Sequence, residues 1–196
     1  MGEVFTIGCS VHTLEAFAMA LKKNKITMIA DVRSQPYSRY APQFNKESLS
    51  AFLRKYDIEY LHMGAEFGAR RDEPEAYTDN RVDFHKTSKL AIFNKGIEKI
   101  EKFIDSYSKN IALMCTEKNP LECHRFLLVA RNIVGALQIN ANHILFDGSV
   151  LSQKNLEQKM LKEQGIGGLF LEDALDSVYE VYSAKIAYKK GEAYDE

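Results

Sequence analysis

Alternation of apolar and polar positions divides the chain into short strands and longer amphipathic helices that follow one another in turn. Val4 to Gly8, Thr27 to Val32, Glu59 to Met63, Asn110 to Cys115 and His143 to Phe146 are brief, mostly apolar runs of the length a buried strand needs. Between them, apolar residues recur in steps of three and four: Leu14, Phe17, Ala18 and Leu21; Leu49, Phe52 and Leu53; Leu90, Phe93, Ile97, Ile100 and Ile104; and Cys123, Leu127, Ala130, Val134 and Leu137. Each stripe is one face of a helix. Five strands separated by four helices predict an α/β fold: a five-stranded, mainly parallel sheet with flanking helices, doubly wound and Rossmann-like, because parallel neighbours need a crossover between them.

Residues 1–150 make up this domain. Residues 151–196 read differently, with a charged helix around Gln153 to Gln164, a Gly165-Ile166-Gly167-Gly168 break, and a further helix from Leu171 that carries Leu175, Val178, Val181 and Tyr182. This C-terminal helical extension is expected to pack on the core or on a second subunit, making a homo-oligomer through these helices one outcome.

Local signals refine the boundaries. Asn119-Pro120-Leu121-Glu122 has the order of a helix opening, with Asn as N-cap, Pro in the first position and Glu in the third. Asn45 stands where a cap precedes the Leu49 helix, and Asp147-Gly148 reads as a turn. Gly64 to about Asp83 shows no regular period, and so long a loop inside a compact domain is usually functional or mobile.

In an open parallel sheet the strand C-termini share one edge, where ligands bind. That edge should collect Cys9, Ser10 and His12 after the first strand, Asp31 and Arg33 after the second, and His62 with the Gly64 loop after the third. Cys115 to Arg125 follow the fourth. Five of the eight arginines, Arg33, Arg39, Arg70, Arg71 and Arg125, fall in these loops or at the helix start, whereas the lysines mostly decorate helices. Arginine is the better bidentate partner for phosphate or carboxylate, so an anion site is expected there. A helix N-terminus adds partial positive charge that lowers the pKa of a nearby thiol, which makes Cys115 and Cys123 candidate nucleophiles or redox thiols, with His124 or Asp31 as acid or base. Ser10, Arg33, Arg39, Arg70, Arg71 and Arg125 are the candidate substrate-binding residues.

Composition narrows the field. A net charge of -1 gives no global attraction to nucleic acid or membrane, so any anion binding must be local. Three scattered cysteines do not form a disulfide framework, and no N-terminal segment resembles a secretion signal, which points to a reducing cytoplasm. No apolar run approaches the ~20 residues of a membrane span. The sequence lacks G-x-G-x-x-G, the P-loop pattern and G-x-S-x-G, and Leu121 stands where a cysteine phosphatase would carry its arginine. Zinc held by Cys115, Cys123, His124 and one of Cys9 or His12 is chemically feasible, but the eight-residue cysteine spacing is not that of a zinc knuckle, and no metal is expected. No cofactor is named by the residues.

Thr6-Ile7-Gly8-Cys9-Ser10, Asp31-Val32-Arg33-Ser34, Pro42-Gln43-Phe44-Asn45 and, above all, Cys115 with Cys123-His124-Arg125 resemble the DUF488 family, small and mainly microbial proteins without an assigned function. The resemblance runs in order from about Thr6 to Gly148. It departs at Cys9, where the family usually has a histidine, and it implies boundaries and a site but no substrate. Two functional readings stay open: an enzyme acting on a phosphate-bearing substrate, nucleotide or nucleic acid, and a non-catalytic binding module for the same anions with Tyr37, Tyr40 and Phe44 as stacking surfaces. A metal-binding or structural partner protein is the remaining class.

Overall fold

The structure, a computed structural model, describes residues 2–9, 12–166 and 171–191. Strand β1 (Val4–Gly8) is buried along its whole length and leads to α1 (Leu14–Lys23), whose first turn is capped by Thr13 Oγ1 accepting from the Ala16 amide at 3.1 Å. Then come β2 (Met28–Asp31), α2 (Lys46–Arg54) and β3 (Glu59–His62). Asn45 does occupy the N-cap position of α2, but its side chain accepts from the Ser38 amide at 2.7 Å and so ties down the preceding loop.

The segment after β3 is not structureless as its sequence suggested. It contains the short helix α3 (Gly64–Phe67), the two-residue strands β4 (Tyr77–Thr78) and β5 (Arg81–Val82) paired as a hairpin, and α4 (Phe84–Ser88), capped by Asp83. Elements this short leave no period to read. The long helix α5 (Ala91–Asp105) buries Phe93, Ile97, Ile100 and Ile104, as its spacing predicts.

The fourth predicted helix starts later than expected. After β6 (Ile111–Cys115), Asn119 does cap Pro120, its Oδ1 accepting from the Leu121 amide at 3.1 Å, but only a single 3-10 turn follows, Pro120–Glu122. Cys123 is extended, with φ -140° and ψ 137°, and its carbonyl accepts the amides of Phe126 and Leu127 at 3.1 Å, so the helix proper begins around His124. It opens as a π-helical turn, Arg125–Ala130, and continues as α6 (Arg131–Leu137).

The fifth strand, β7 (Ala141–Ile144), begins two residues before the predicted start. Gln138 closes α6 in the left-handed region, and Leu145 to Gly148 are consumed by the turn, where the Gly148 amide donates to the Leu145 carbonyl at 3.0 Å. That turn makes a hairpin with a further strand, β8 (Val150–Ser152), followed by α7 (Gln153–Glu163) and α8 (Leu171–Ile186).

The main sheet has six strands in the order β3-β2-β6-β1-β7-β8, the first five parallel and β8 antiparallel at the edge. Side chains alternate across it. Ile111, Leu113 and Cys115 of β6 join the large cluster that includes Phe93, Ile100, Leu127 and Tyr179, whereas Ala112 and Met114 join the cluster of Phe17, Leu21, Leu49 and Leu53. Helices α1 and α2 therefore cover one face, and α5, α6, α7 and α8 cover the other. Because β2 hands on to a helix on one face and its neighbour β6 to a helix on the other, their outgoing loops part and open a crevice at the strands' C-terminal edge, as the doubly wound fold requires. Among the described residues no helix is long and apolar enough to cross a membrane.

Candidate functional site

At the end of β6 the chain places four reactive groups side by side. The Sγ atoms of Cys115 and Cys123 lie 3.0 and 2.8 Å from Oε2 of Glu117, and Cys115 Sγ lies 3.6 Å from Nδ1 of His124. The extended backbone of Cys123 and the tight turn before it bring the second sulfur back against the first. His124 Nε2 is 3.0 Å from the Val32 carbonyl, which can only accept, so Nε2 carries a proton and Nδ1 faces the Cys115 sulfur.

Arg125 is fully buried and holds the loop in place, with Nη1 donating to the Glu117 carbonyl at 2.7 Å and Nη2 to the Lys118 carbonyl at 3.3 Å. Its Nε is the one buried side-chain nitrogen or oxygen without a hydrogen-bond partner among the described residues. Its positive charge acts on Cys123.

The environment divides the two thiols. Burial alone would raise Cys123, but the hydrogen bond from Cys115 and the charges of Arg125 and His124 outweigh it and hold Cys123 well below the usual thiol range. Burial, and then the hydrogen bond to Cys123 and its charge, push Cys115 up. The pair thus titrates as a unit that shares one negative charge. Burial and the charge of Cys123 push the Glu117 carboxyl up to about 7; the residue as a whole is exposed, but Oε2 of this carboxyl lies against both sulfurs. Burial opposes protonation of His124, yet the adjacent Cys123 raises its pKa overall.

Asp31 and Arg33 form a separate unit. Asp31 Oδ1 accepts from Arg33 Nε at 2.9 Å and from the Arg33 amide at 3.1 Å, while Oδ2 accepts from Arg33 Nη2 and from the Tyr60 hydroxyl, both at 2.6 Å. Arg33 Nη2 also donates to the Phe44 carbonyl at 2.8 Å. With every acceptor direction on this carboxylate used, the pair anchors the loop after β2. Arg71 is engaged in the same way, its guanidinium paired with Glu73 at 3.0 and 2.7 Å and reaching the Glu66 carbonyl.

A pocket of about 370 Å3 opens over this edge, lined by Cys115, Thr116, Glu117 and His124 together with Arg33, Arg70, Tyr37, Tyr40 and Tyr188. Arg70 lies over the Tyr188 ring, 5.1 Å from its centroid. Of the sequence-predicted residues, Arg33, Arg70, Cys115 and His124 therefore meet at one cavity. Cys123 and Arg125 sit just behind it, Arg39 is exposed outside it, and Arg71 packs elsewhere. Ser10 lies outside the described residues. Phe44 is no stacking surface, being buried edge-on against Phe17 at 5.3 Å, whereas Tyr37 and Tyr40 are exposed. Cys9 is buried on the opposite face of the sheet, and burial pushes its thiol to about 12. A larger groove, about 610 Å3, lies between the β4–β5 hairpin, α6 and α8, but it contains no cysteine, and its Arg131 is already paired with Asp176.

Sequence reasoning missed Glu117 and Tyr60. Glu117 carried a signal, an acidic residue two positions beyond the cysteine that ends a strand; Tyr60 carried none.

Fold and site together define a doubly wound α/β protein with a buried thiol, imidazole and carboxyl cluster at its switch-point crevice. The family model described as domain of unknown function DUF488 matches residues 13–131, and the chain belongs to this family. No curated protein and no solved structure matches the chain.

Proposed function

We propose that the chain is an enzyme that processes a small anionic substrate in the crevice pocket and depends on the thiolate form of the Cys115–Cys123 pair. The observation that carries this reading is the meeting of Cys115 Sγ and His124 Nδ1 at 3.6 Å, both residues lining the pocket, with Glu117 beside them. A buried negative charge is costly unless something stabilises it, and here Arg125 and His124 do so. His124 and Glu117 are the groups that can exchange protons with a bound substrate. The substrate's negative charge is met by Arg70, which lines the pocket, and a pocket of about 370 Å3 suits a ligand up to the size of a nucleotide.

Alkylation tests the reading directly. Iodoacetamide should label Cys115 or Cys123 at a pH well below the ordinary thiol pKa of about 8.5. Phosphate or a nucleotide should slow that labelling, and Arg70→Ala should remove the protection. Labelling that begins only above the ordinary thiol range, or that no anion slows, rules the reading out.

A further inference from the structure

Cys115 Sγ, Cys123 Sγ and His124 Nδ1 lie within 4.8 Å of one another. All three residues are buried, at 3, 1 and 6% exposure. Two soft sulfurs and an imidazole nitrogen are the donor set that selects zinc among the common divalent ions. In a tetrahedral site with Zn–S near 2.3 Å and Zn–N near 2.0–2.1 Å, a sulfur and a nitrogen ligand are roughly 3.5–3.6 Å apart. The observed Cys115 Sγ to His124 Nδ1 separation is 3.6 Å.

The surroundings are those of a ligand histidine. Its remote nitrogen donates to the Val32 carbonyl at 3.0 Å, the outer hydrogen bond that fixes the ring and leaves the other nitrogen free to bind a metal. Arg125, which does not line the pocket, offsets the negative charge that a second thiolate adds. Glu117 touches both sulfurs but does not belong to the close donor set. Three protein donors with an unfilled fourth position is the pattern of a catalytic zinc site, whereas structural sites are closed by four. Cys115, Glu117 and His124 line the pocket, so the fourth position faces the substrate space.

We propose that Cys115, Cys123 and His124 hold one zinc ion whose open position faces the crevice pocket. The inference rests on the reading of this cluster as the reactive centre and states what the thiolates do there: they are ligands. Zinc in such a setting polarises a bound water or a substrate oxygen, and Glu117 stands where it can take up or return the proton. Because the ligands must be deprotonated, loading releases thiol protons, and the bound sulfurs lose their reactivity toward alkylating agents.

The test uses cobalt(II) as a spectroscopic stand-in and zinc as a competitor, on the intact chain stripped with a chelator. One equivalent of cobalt should give the near-ultraviolet thiolate-to-metal charge-transfer band and the intense visible bands of tetrahedral cobalt, and zinc should abolish both. Cys115→Ser, Cys123→Ser and His124→Gln should each weaken binding by more than the roughly 10–100-fold that loss of an outer partner costs. Cys9→Ser should bind like the unaltered chain. Should the ligand variants fail to fold, protection answers the question in the wild-type protein: zinc should block iodoacetamide labelling of Cys115 and Cys123. A spectrum without charge transfer, or zinc that leaves labelling unchanged, overturns the metal site. Labelling of the metal-free chain at low pH then still stands as the separate measure of the thiolate reading.

Discussion

The backbone of Gly8 lies so close to Glu117 that a Cβ built on the glycine would fall 2.0 Å from the Glu117 carbonyl oxygen. This is the same carbonyl that receives Nη1 of Arg125. The end of β1, the loop after β6 and the buried guanidinium are thus stacked without room for one more carbon. Gly8→Ala should force the loop outward and separate Glu117 from the two sulfurs, at a cost of about 1–3 kcal/mol, as overpacking does. Urea denaturation reads the cost, and the onset pH of thiol alkylation reads the displacement. An unchanged onset would show that the loop can yield without disturbing the cluster.

Asp31→Ala addresses the second buried unit. It leaves Arg33 with its charge in an interior position and no counter-charge, the Phe44 carbonyl still accepting from it. Removing one member of a buried pair costs about 3–5 kcal/mol. A loss below about 1 kcal/mol in equilibrium unfolding would mean that Arg33 swings out to solvent and that the loop after β2 is not anchored as described.

His143 makes stability depend on pH. Its Nδ1 is 2.9 Å from Thr6 Oγ1, its Nε2 is 2.9 Å from Gln153 Oε1, and burial lowers its pKa to about 3. Since the unfolded chain takes up this proton near pH 6.5 and the folded one does not until about pH 3, the stabilisation is complete above pH 6.5 and is lost as pH falls toward 3. Between pH 6.5 and 5 the wild type should lose roughly 2 kcal/mol that a His143→Gln variant keeps, at about 1.4 kcal/mol per pH unit. Equal slopes in the two proteins would mean that His143 is hydrated.

The same network ties the C-terminal helices to the sheet. Gln153 Nε2 donates to the Tyr179 hydroxyl at 2.6 Å, that hydroxyl donates to Glu157 at 2.8 Å, and the Tyr179 ring stacks on Phe126 at 5.8 Å. Cutting after Ser152 would uncover Phe126, His143 and the α6 face together. The expected outcome is a fragment without a cooperative unfolding transition. Tyr179→Phe, which leaves Gln153 Nε2 only its 3.1 Å bond to Glu157, should cost about 1 kcal/mol. A truncated chain that unfolds cooperatively would show that the sheet needs neither helix.

How legible each part was depends on the range of the interaction that fixes it. The α5 stripe shows in the sequence because burial on one face imposes a period, and the interior strands show as short apolar runs because both faces are covered, as in β1, where all five residues are buried. Strand β8 does not, since it owes its state to pairing with β7 across a turn and two of its three residues are only half-buried. The opening at Asn119 was read correctly as a cap but wrongly as the start of the long helix, because one 3-10 turn and a full helix begin with the same residues. At the site, Cys115, Cys123 and His124 were legible as residue types placed around a strand end. The state of the arginines was not. Arg33, Arg71 and Arg125 each turn out to be engaged by partners 2 to 11 positions away in sequence, through loop conformations that no period encodes.

The π-helical turn at Arg125–Ala130 carries a further consequence. A wider turn fits one more residue than α-helical winding would, so the segment before it and the segment after it have independent angular phases. Cys123, His124 and Arg125 are aimed at the sheet edge, while Ile133 of α6 keeps its place against the core. Rewinding this turn to ordinary α-helical geometry with every residue kept would rotate one segment by roughly 100° relative to the other. The chain could then keep its packed helix or its clustered sulfurs, but not both.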